Sequence, residues 1–205
     1  MRTETGRPRE AGLRARKRKQ TWLAIHAAAL SLFEEHGFDA VSVDQIAAAA
    51  NVARGTFFNY FDNKEELVVT YGPHEAEFQR RLMQERPDDE PLWESMVQII
   101  MGYLEEFEAQ IIVHLRLKAG SPTLSRSARP TTERLVADLR VWARDRHPHL
   151  AEPEAMLIIN VAVAALGTAV HYWQVDQPVA ERIGTVRAML ARAGAGLAAS
   201  STPQA

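Results

Sequence analysis

The sequence predicts an all-α fold: a tri-helical helix-turn-helix domain followed by a helical bundle, about nine helices in all. Three observations predict it. Apolar residues recur at helical spacing, and no segment sustains the alternation of a half-buried strand. Pro73, Pro87, Pro91, Pro122, Pro130, Pro148, Pro153 and Pro178 cut the second half into pieces of helical length. Near the N-terminus, two short helical stretches joined by a tight turn follow a longer one.

The first helix is expected from about Ala15 to His36, with Trp22, Ile25, Ala29, Leu32 and Phe33 on one apolar face. Gly37 suits a left-handed C-terminal cap, and Phe38 can fold back on the last turn. Ser42 with Gln45 three residues on forms a capping box for a short second helix, whose apolar edge is Val43, Ile46 and Ala47. Asn51 tolerates a left-handed turn. A third helix runs from about Ala53 to Phe61, and Asp62 or Asn63 caps a fourth, with Glu65 and Glu66 suiting its positive end.

At 205 residues the chain is long enough for one or two domains with a real core, and 46% hydrophobic residues exclude a disordered polymer. The absence of cysteine excludes disulfides, thiol nucleophiles and Cys-ligated metals, and a cytoplasmic location is expected. The net charge of −2 excludes a polycation, so any contact with nucleic acid must come from a local patch. Such a patch exists. Through Ile25 there are eight basic residues (Arg2, Arg7, Arg9, Arg14, Arg16, Lys17, Arg18, Lys19) against Glu4 and Glu10, a local balance of +6. A charge run of this kind is ordinarily a solvated tail; the sharper reading is an arm lying along phosphates.

The stretch RGTFFNYFDNKEEL crowds Phe57, Phe58, Tyr60 and Phe61 into five positions. Phe57 and Phe61 share a face and are expected to pack on Ile46, Phe33 and Ile25. Phe58, Asn59 and Tyr60 point elsewhere, where their surface suits a duplex. A tyrosine hydroxyl can reach a phosphate oxygen, a phenyl ring a sugar or thymine methyl, and an amide a base edge. Arg54 in the first turn is placed for guanine acceptors, Gly55 allows close backbone approach, and Thr56 adds a hydroxyl.

The segment GFDAVSVDQIAAAANVARGTFFNYFDNKEEL closely resembles the DNA-binding domain of the TetR family of bacterial transcriptional regulators. The resemblance implies DNA contact by Arg54, Gly55, Thr56, Phe58, Asn59 and Tyr60, with Ser42 and Lys64 holding the DNA backbone. Three positions depart from the family. Ala53 stands where Ser or Thr is usual, Phe58 where Tyr is usual, and Asn51 replaces the common turn glycine. The first two remove hydroxyls, implying fewer phosphate contacts from the third helix and more dependence on the basic arm.

The resemblance further implies a flexible basic arm at 1–14, a helix-turn-helix domain at 15–72, a ligand-binding and dimerisation domain at 73–199, and a disordered tail at 200–205. In the second domain Gly72–Pro73 is expected to break or bend the fourth helix. A helix follows at about Pro91–Glu108, then the segment AQIIVHLRLKAG, closed by Gly120–Ser121–Pro122. Another runs from about Pro130 to Arg146. Met156–Asp176 is apolar almost all round, which reads as a buried helix in preference to a membrane span because Asn160 and His171 lie inside it. The last helix runs from about Val179 to Ala199. The family pairs its final two helices across a two-fold axis, so a homodimer reading a palindromic DNA operator is implied.

The spacing of the later segments faintly resembles TetR regulators that accept acyl-CoA-like ligands, which implies an acyl-CoA-like or other apolar effector. Its expected liners are Met96, Ile100, Tyr103, Phe107, Leu115 and Leu139, with Trp142, Ile159, Val163 and Trp173; core residues have the same composition. Arg116 stands as a partner for an acidic ligand group, and His171 as a polar pocket residue. The histidines His114, His147, His149 and His171 show no metal-ligand spacing, and no base, nucleophile and oxyanion donor form a set. No cofactor and no enzymatic activity are expected. The expectation is thus a ligand-responsive repressor; the alternative is a helical-bundle binding protein or enzyme whose helix-turn-helix no longer reads DNA.

Overall fold

The computed structural model describes residues 7–69, 72–126, 130–174 and 176–199. The tail at 200–205 and the first six residues of the basic arm lie outside the described residues. The chain divides into two compact units, Met1–His74 with Arg116–Ala128, and Glu75–Leu115 with Arg129–Ala205. The described residues are all-α and contain ten helical stretches, one of them a single turn, against about nine expected.

The first unit contains α1 (Arg7–His36), α2 (Val43–Ala49), α3 (Arg54–Phe58) and the turn α4 (Glu66–Val69). Helix α1 starts at Arg7, ahead of the expected Ala15, so residues 7–14 are helical where a flexible arm was expected. The run is rich in Arg, Glu and Ala, all good helix formers, and a proline in the first turn costs nothing. Gly37 closes α1 in the left-handed conformation at φ 80°, and its N–H donates to the Phe33 carbonyl at 2.9 Å. Phe38 folds back on Phe33, ring centroids 4.9 Å apart. Asn51, at φ 53°, turns the chain between α2 and α3 in place of a glycine.

Packing in this unit follows the expected face. Ile25, Phe33, Ile46, Phe57 and Phe61 are all buried, and Phe57 and Phe61 meet at 5.6 Å. Trp22 lies against Phe61 and stacks on His26. The Lys64 ammonium donates to the carbonyls of Phe38 at 2.8 Å, Val41 at 2.9 Å and Asp39 at 3.4 Å, and sits 4.4 Å from the Phe38 ring centroid. It therefore fastens the segment after α3 to the loop between α1 and α2. Ser121, expected only to end a helix, also begins one. Its hydroxyl caps α7 (Pro122–Arg126) by accepting from the Leu124 N–H and donates to the Asp39 carboxylate at 2.9 Å, and Leu124 is fully buried.

The second unit contains α5 (Pro73–Gln84), most of α6 (Leu92–Ala119), α8 (Pro130–Arg146), α9 (Glu152–His171) and α10 (Val179–Ala199). The two segments expected on either side of Glu108 form one helix, because neither proline nor glycine interrupts the ladder there. Its interior Gly102 leaves space that Leu82 fills. Gly194 on α10 likewise admits the Trp93 indole, which any side chain would displace. Helix α9 is long and apolar enough to cross a membrane by length and composition alone. Here it packs on α8 and α10 and buries Ala155, Ile159, Ala162 and Ala169. Arg182 of α10 is buried and paired with Glu108 of α6, its Nε 2.7 Å from the carboxylate, while a second guanidinium nitrogen donates to the Gln177 carbonyl.

Two measurements check this account. Lys64→Met leaves three loop carbonyls without their cation and is expected to cost about 1–3 kcal/mol in urea unfolding. Acid should also destabilise the fold. Burial lowers the His26 pKa against a smaller opposing hydrogen bond with the Leu67 backbone. Burial, then His149 and Arg146, lower that of His147, with Glu90 opposing. Both rings are harder to protonate folded than unfolded. The unfolded chain therefore binds more protons below the ordinary value of 6.5. Stability is full above that pH and falls as pH drops through it. Urea midpoints at neutral and mildly acidic pH should show the loss, and His147→Gln should reduce it.

Candidate nucleic-acid interface

The α2–turn–α3 unit is assembled by local chemistry. The Ser42 hydroxyl accepts from the Gln45 N–H at 3.3 Å, and the Gln45 side chain accepts from the Ser42 N–H at 2.8 Å, completing the capping box. The hydroxyl also donates to that side chain at 2.9 Å. Ala53 begins α3 with no side-chain cap, as its missing hydroxyl requires. Asn63 caps α4 by accepting from the Glu66 N–H at 3.0 Å. Helix α3 ends at Phe58, and its helical bonding continues through Phe61, whose N–H donates to the Phe57 carbonyl.

Arg54, Gly55, Phe58 and Asn59 are exposed; Thr56 and Tyr60 are half-buried. Phe58 keeps 44% of its surface in solvent while its ring meets Phe57 edge-on at 5.3 Å. A Cβ at Gly55 would have no neighbour within 4 Å, so this backbone is open to close approach. Arg54 reaches across from α3 to α2. Its Nη1 lies 2.5 and 2.6 Å from the two carboxylate oxygens of Asp44, and its guanidinium sits 5.6 Å from the Phe58 ring centroid. The Asp44 partnership has no motif in the sequence. Helix α1 contributes exposed Arg14, Arg16, Lys17 and Arg18, and the Arg18 guanidinium lies 5.8 Å from the Tyr60 ring. Arginines, an aromatic surface and an accessible backbone are thus gathered on the first unit.

Two residues expected to hold the DNA backbone are engaged within the protein. Lys64 is half-buried, and carbonyl oxygens take the donors expected to reach a phosphate. Ser42 is exposed, but its hydroxyl and N–H are already engaged within the capping box.

In the second unit, Met96, Ile100, Leu139, Ile159 and Trp173 are buried in the core, with Leu115, Trp142 and Val163 packed against it. Phe107 is buried, its ring 4.8 Å from and tilted against that of half-buried Tyr103 and met edge-on by Phe78. Two residues expected at the pocket lie at the surface. Arg116 is exposed and belongs to the first unit. His171 is exposed, its ring edge-on to Tyr172, because the last turn of α9 carries it to the surface. A cleft of about 180 Å³ opens elsewhere, between the end of α8 and the start of α9. Of the expected liners only Ile159 borders it; its other walls include Arg140, Arg144, His147 and Met156.

Residues 25–70 match the family model described as bacterial regulatory proteins, tetR family. The chain is 39% identical over 69 residues to YdeS, an uncharacterised HTH-type transcriptional regulator of Bacillus subtilis, covering 34% of this chain and 31% of that one. It is 41% identical over 63 residues to the HTH-type transcriptional regulator TcmR of Streptomyces glaucescens, covering 31% and 28%. The match therefore spans about a third or less of these relatives. Across most of its length the fold resembles a TetR-family regulator from Syntrophomonas wolfei, with TM-score 0.60, 20% identity and coverage of 86% and 96%. A regulator from Aquifex aeolicus gives TM-score 0.53 at 17% identity, covering 84% and 98%. The helix-turn-helix segment, residues 25–70, is thus similar to the TetR family of bacterial regulatory proteins.

Proposed function

We propose that this protein is a cytoplasmic, ligand-responsive transcriptional regulator, a repressor that binds a palindromic operator in double-stranded DNA as a homodimer. The observation that carries the reading is the exposed Arg54–Phe58 face of α3 beside the basic face of α1. Arginine in the first turn of a recognition helix presents the fork that guanine accepts in the major groove, while the cationic helix supplies the sequence-independent attraction of phosphates. The Asp44 carboxylate orients that fork in the free protein and repels phosphates that approach it wrongly. The chemistry is binding; an enzymatic role is not proposed.

The homodimer is supported by the outer face of α9. Leu157, Asn160, Ala164, Gly167, Thr168 and His171 are exposed at spacings of three, four, three, one and three, which fall on one helix face, and Leu157 leaves 55% of its surface in solvent. A second copy of α9 and α10 covers such a stripe by two-fold pairing. A small, largely apolar effector, acyl-CoA-like or otherwise, binds the second unit and releases the DNA by favouring one arrangement of the dimer over the other.

Fluorescence anisotropy with the DNA upstream of this protein's own gene, against a scrambled duplex, tests the reading. The native fragment should bind more tightly. Equal, salt-sensitive binding to both would show that only the basic helix contributes and that α3 does not read sequence there. Arg54→Ala should cost about 1–3 kcal/mol on the native fragment and little on the scrambled one. Asp44→Asn should tighten binding to the scrambled duplex and narrow the preference. Lys64→Met should leave the salt dependence unchanged, whereas a lysine on a phosphate would contribute a slope of about 0.9.

A further inference from the structure

The cleft between α8 and α9 has the makings of a binding site. Its inner wall is apolar, from Ala155, Met156 and Ile159, and its volume of about 180 Å³ suits one six-membered ring or a short branched chain. Its rim carries Arg140 and Arg144 from the last turns of α8. His147 also lines the cleft; it is 97% buried and its Nε2 has no hydrogen-bond partner. Buried polar atoms in folded proteins are almost always paired, so an unpartnered imidazole nitrogen on a residue that lines a cleft calls for a partner.

The charge pattern identifies that partner. The start of α9 faces the same cleft through Glu152 and Ala155, and its N-cap, Ala151, offers no side-chain acceptor. A helix N-terminus favours negative charge. The chain already places a carboxylate here: Glu152 pairs with Arg140 at the rim, both more than half exposed. Exposed pairs of this kind are weak and exchange readily. Among the described residues Arg144 pairs with its sequence neighbour Asp145, at 3.5 Å and in full view of solvent. An entering carboxylate therefore finds one arginine engaged in an exchangeable pair, a second weakly engaged, and a buried nitrogen to satisfy.

We propose that this cleft binds small carboxylic acids bearing one compact apolar group. The apolar group lies on Ala155, Met156 and Ile159, and the carboxylate takes Arg144 and the His147 side of the rim. This deepens the reading of the second unit as the effector-binding half and rests on it for any consequence at DNA. It places the ligand at the α8–α9 corner and away from the residues that form the core.

Isothermal titration of the full chain with benzoate, and with benzyl alcohol as its uncharged counterpart, tests the site without DNA. Benzoate should bind saturably, one per chain, and benzyl alcohol about tenfold more weakly or worse, because charge-assisted bonds to arginine are lost. Arg144→Gln, at an exposed position, should weaken benzoate by a similar factor. Met156→Trp should block it by filling the floor; matched urea midpoints would show that both variants fold. The proposal is overturned by absent benzoate binding, by equal binding of the alcohol, or by wild-type affinity in both variants. The anisotropy assay decides the DNA reading separately. Benzoate bound without effect on the duplex leaves the site standing and removes it from DNA release, and a chain that ignores the native duplex can still bind benzoate.

Discussion

One ammonium group holds the first unit in register. Lys64 donates to carbonyls of Phe38, Asp39 and Val41, which belong to the loop that ends α1 and delivers Ser42 to the start of α2. An ammonium has three donors and a loop of this kind has orphan carbonyls, so the match satisfies both. The Phe38 ring beneath the cation adds a face of negative potential, and the ring is itself fixed by Phe33. The segment after α3 is therefore tied to the segment before α2. The short α3, with only Phe57 fully buried, takes its orientation from anchors on either side.

That orientation divides the aromatic run of the unit into two populations. Phe57 and Phe61 go inward to meet Ile25, Phe33 and Ile46, and their burial drives the packing. Phe58 and Tyr60 remain at or near the surface, each beneath an arginine, Arg54 in one case and Arg18 in the other. The core and the candidate DNA surface are thus opposite sides of the same five residues.

The second unit spends its residues differently. Its apolar interior is closely filled: Gly102 and Gly194 exist where Leu82 and Trp93 need room. Its one buried cation among the described core residues, Arg182, is neutralised by Glu108, an arrangement that would be costly if either partner were lost. Among its buried side-chain atoms without a hydrogen-bond partner, the His147 Nε2 belongs to a residue that lines the cleft at the α8–α9 corner.

Much of the fold was legible because it is local. The left-handed positions at Gly37 and Asn51, the Ser42–Gln45 box, the uncapped start at Ala53 and the bounds of α8 and α10 all follow from residues within a few positions of one another. So did the inward pair Phe57 and Phe61, through helical spacing. The helix-turn-helix resemblance rested on the same short-range pattern. What the sequence did not reveal was what depends on distant partners. Lys64 looked like a phosphate contact because its carbonyl partners lie 23 to 26 residues away. Asp44 carried no sign that it would hold Arg54. Arg116 and His171 read as pocket residues on apolar helices, but the faces they occupy turn outward. Spacing along a helix tells which residues share a face; only the packing of helices decides whether that face becomes core, cleft or surface, because that choice is made by residues far away in the chain.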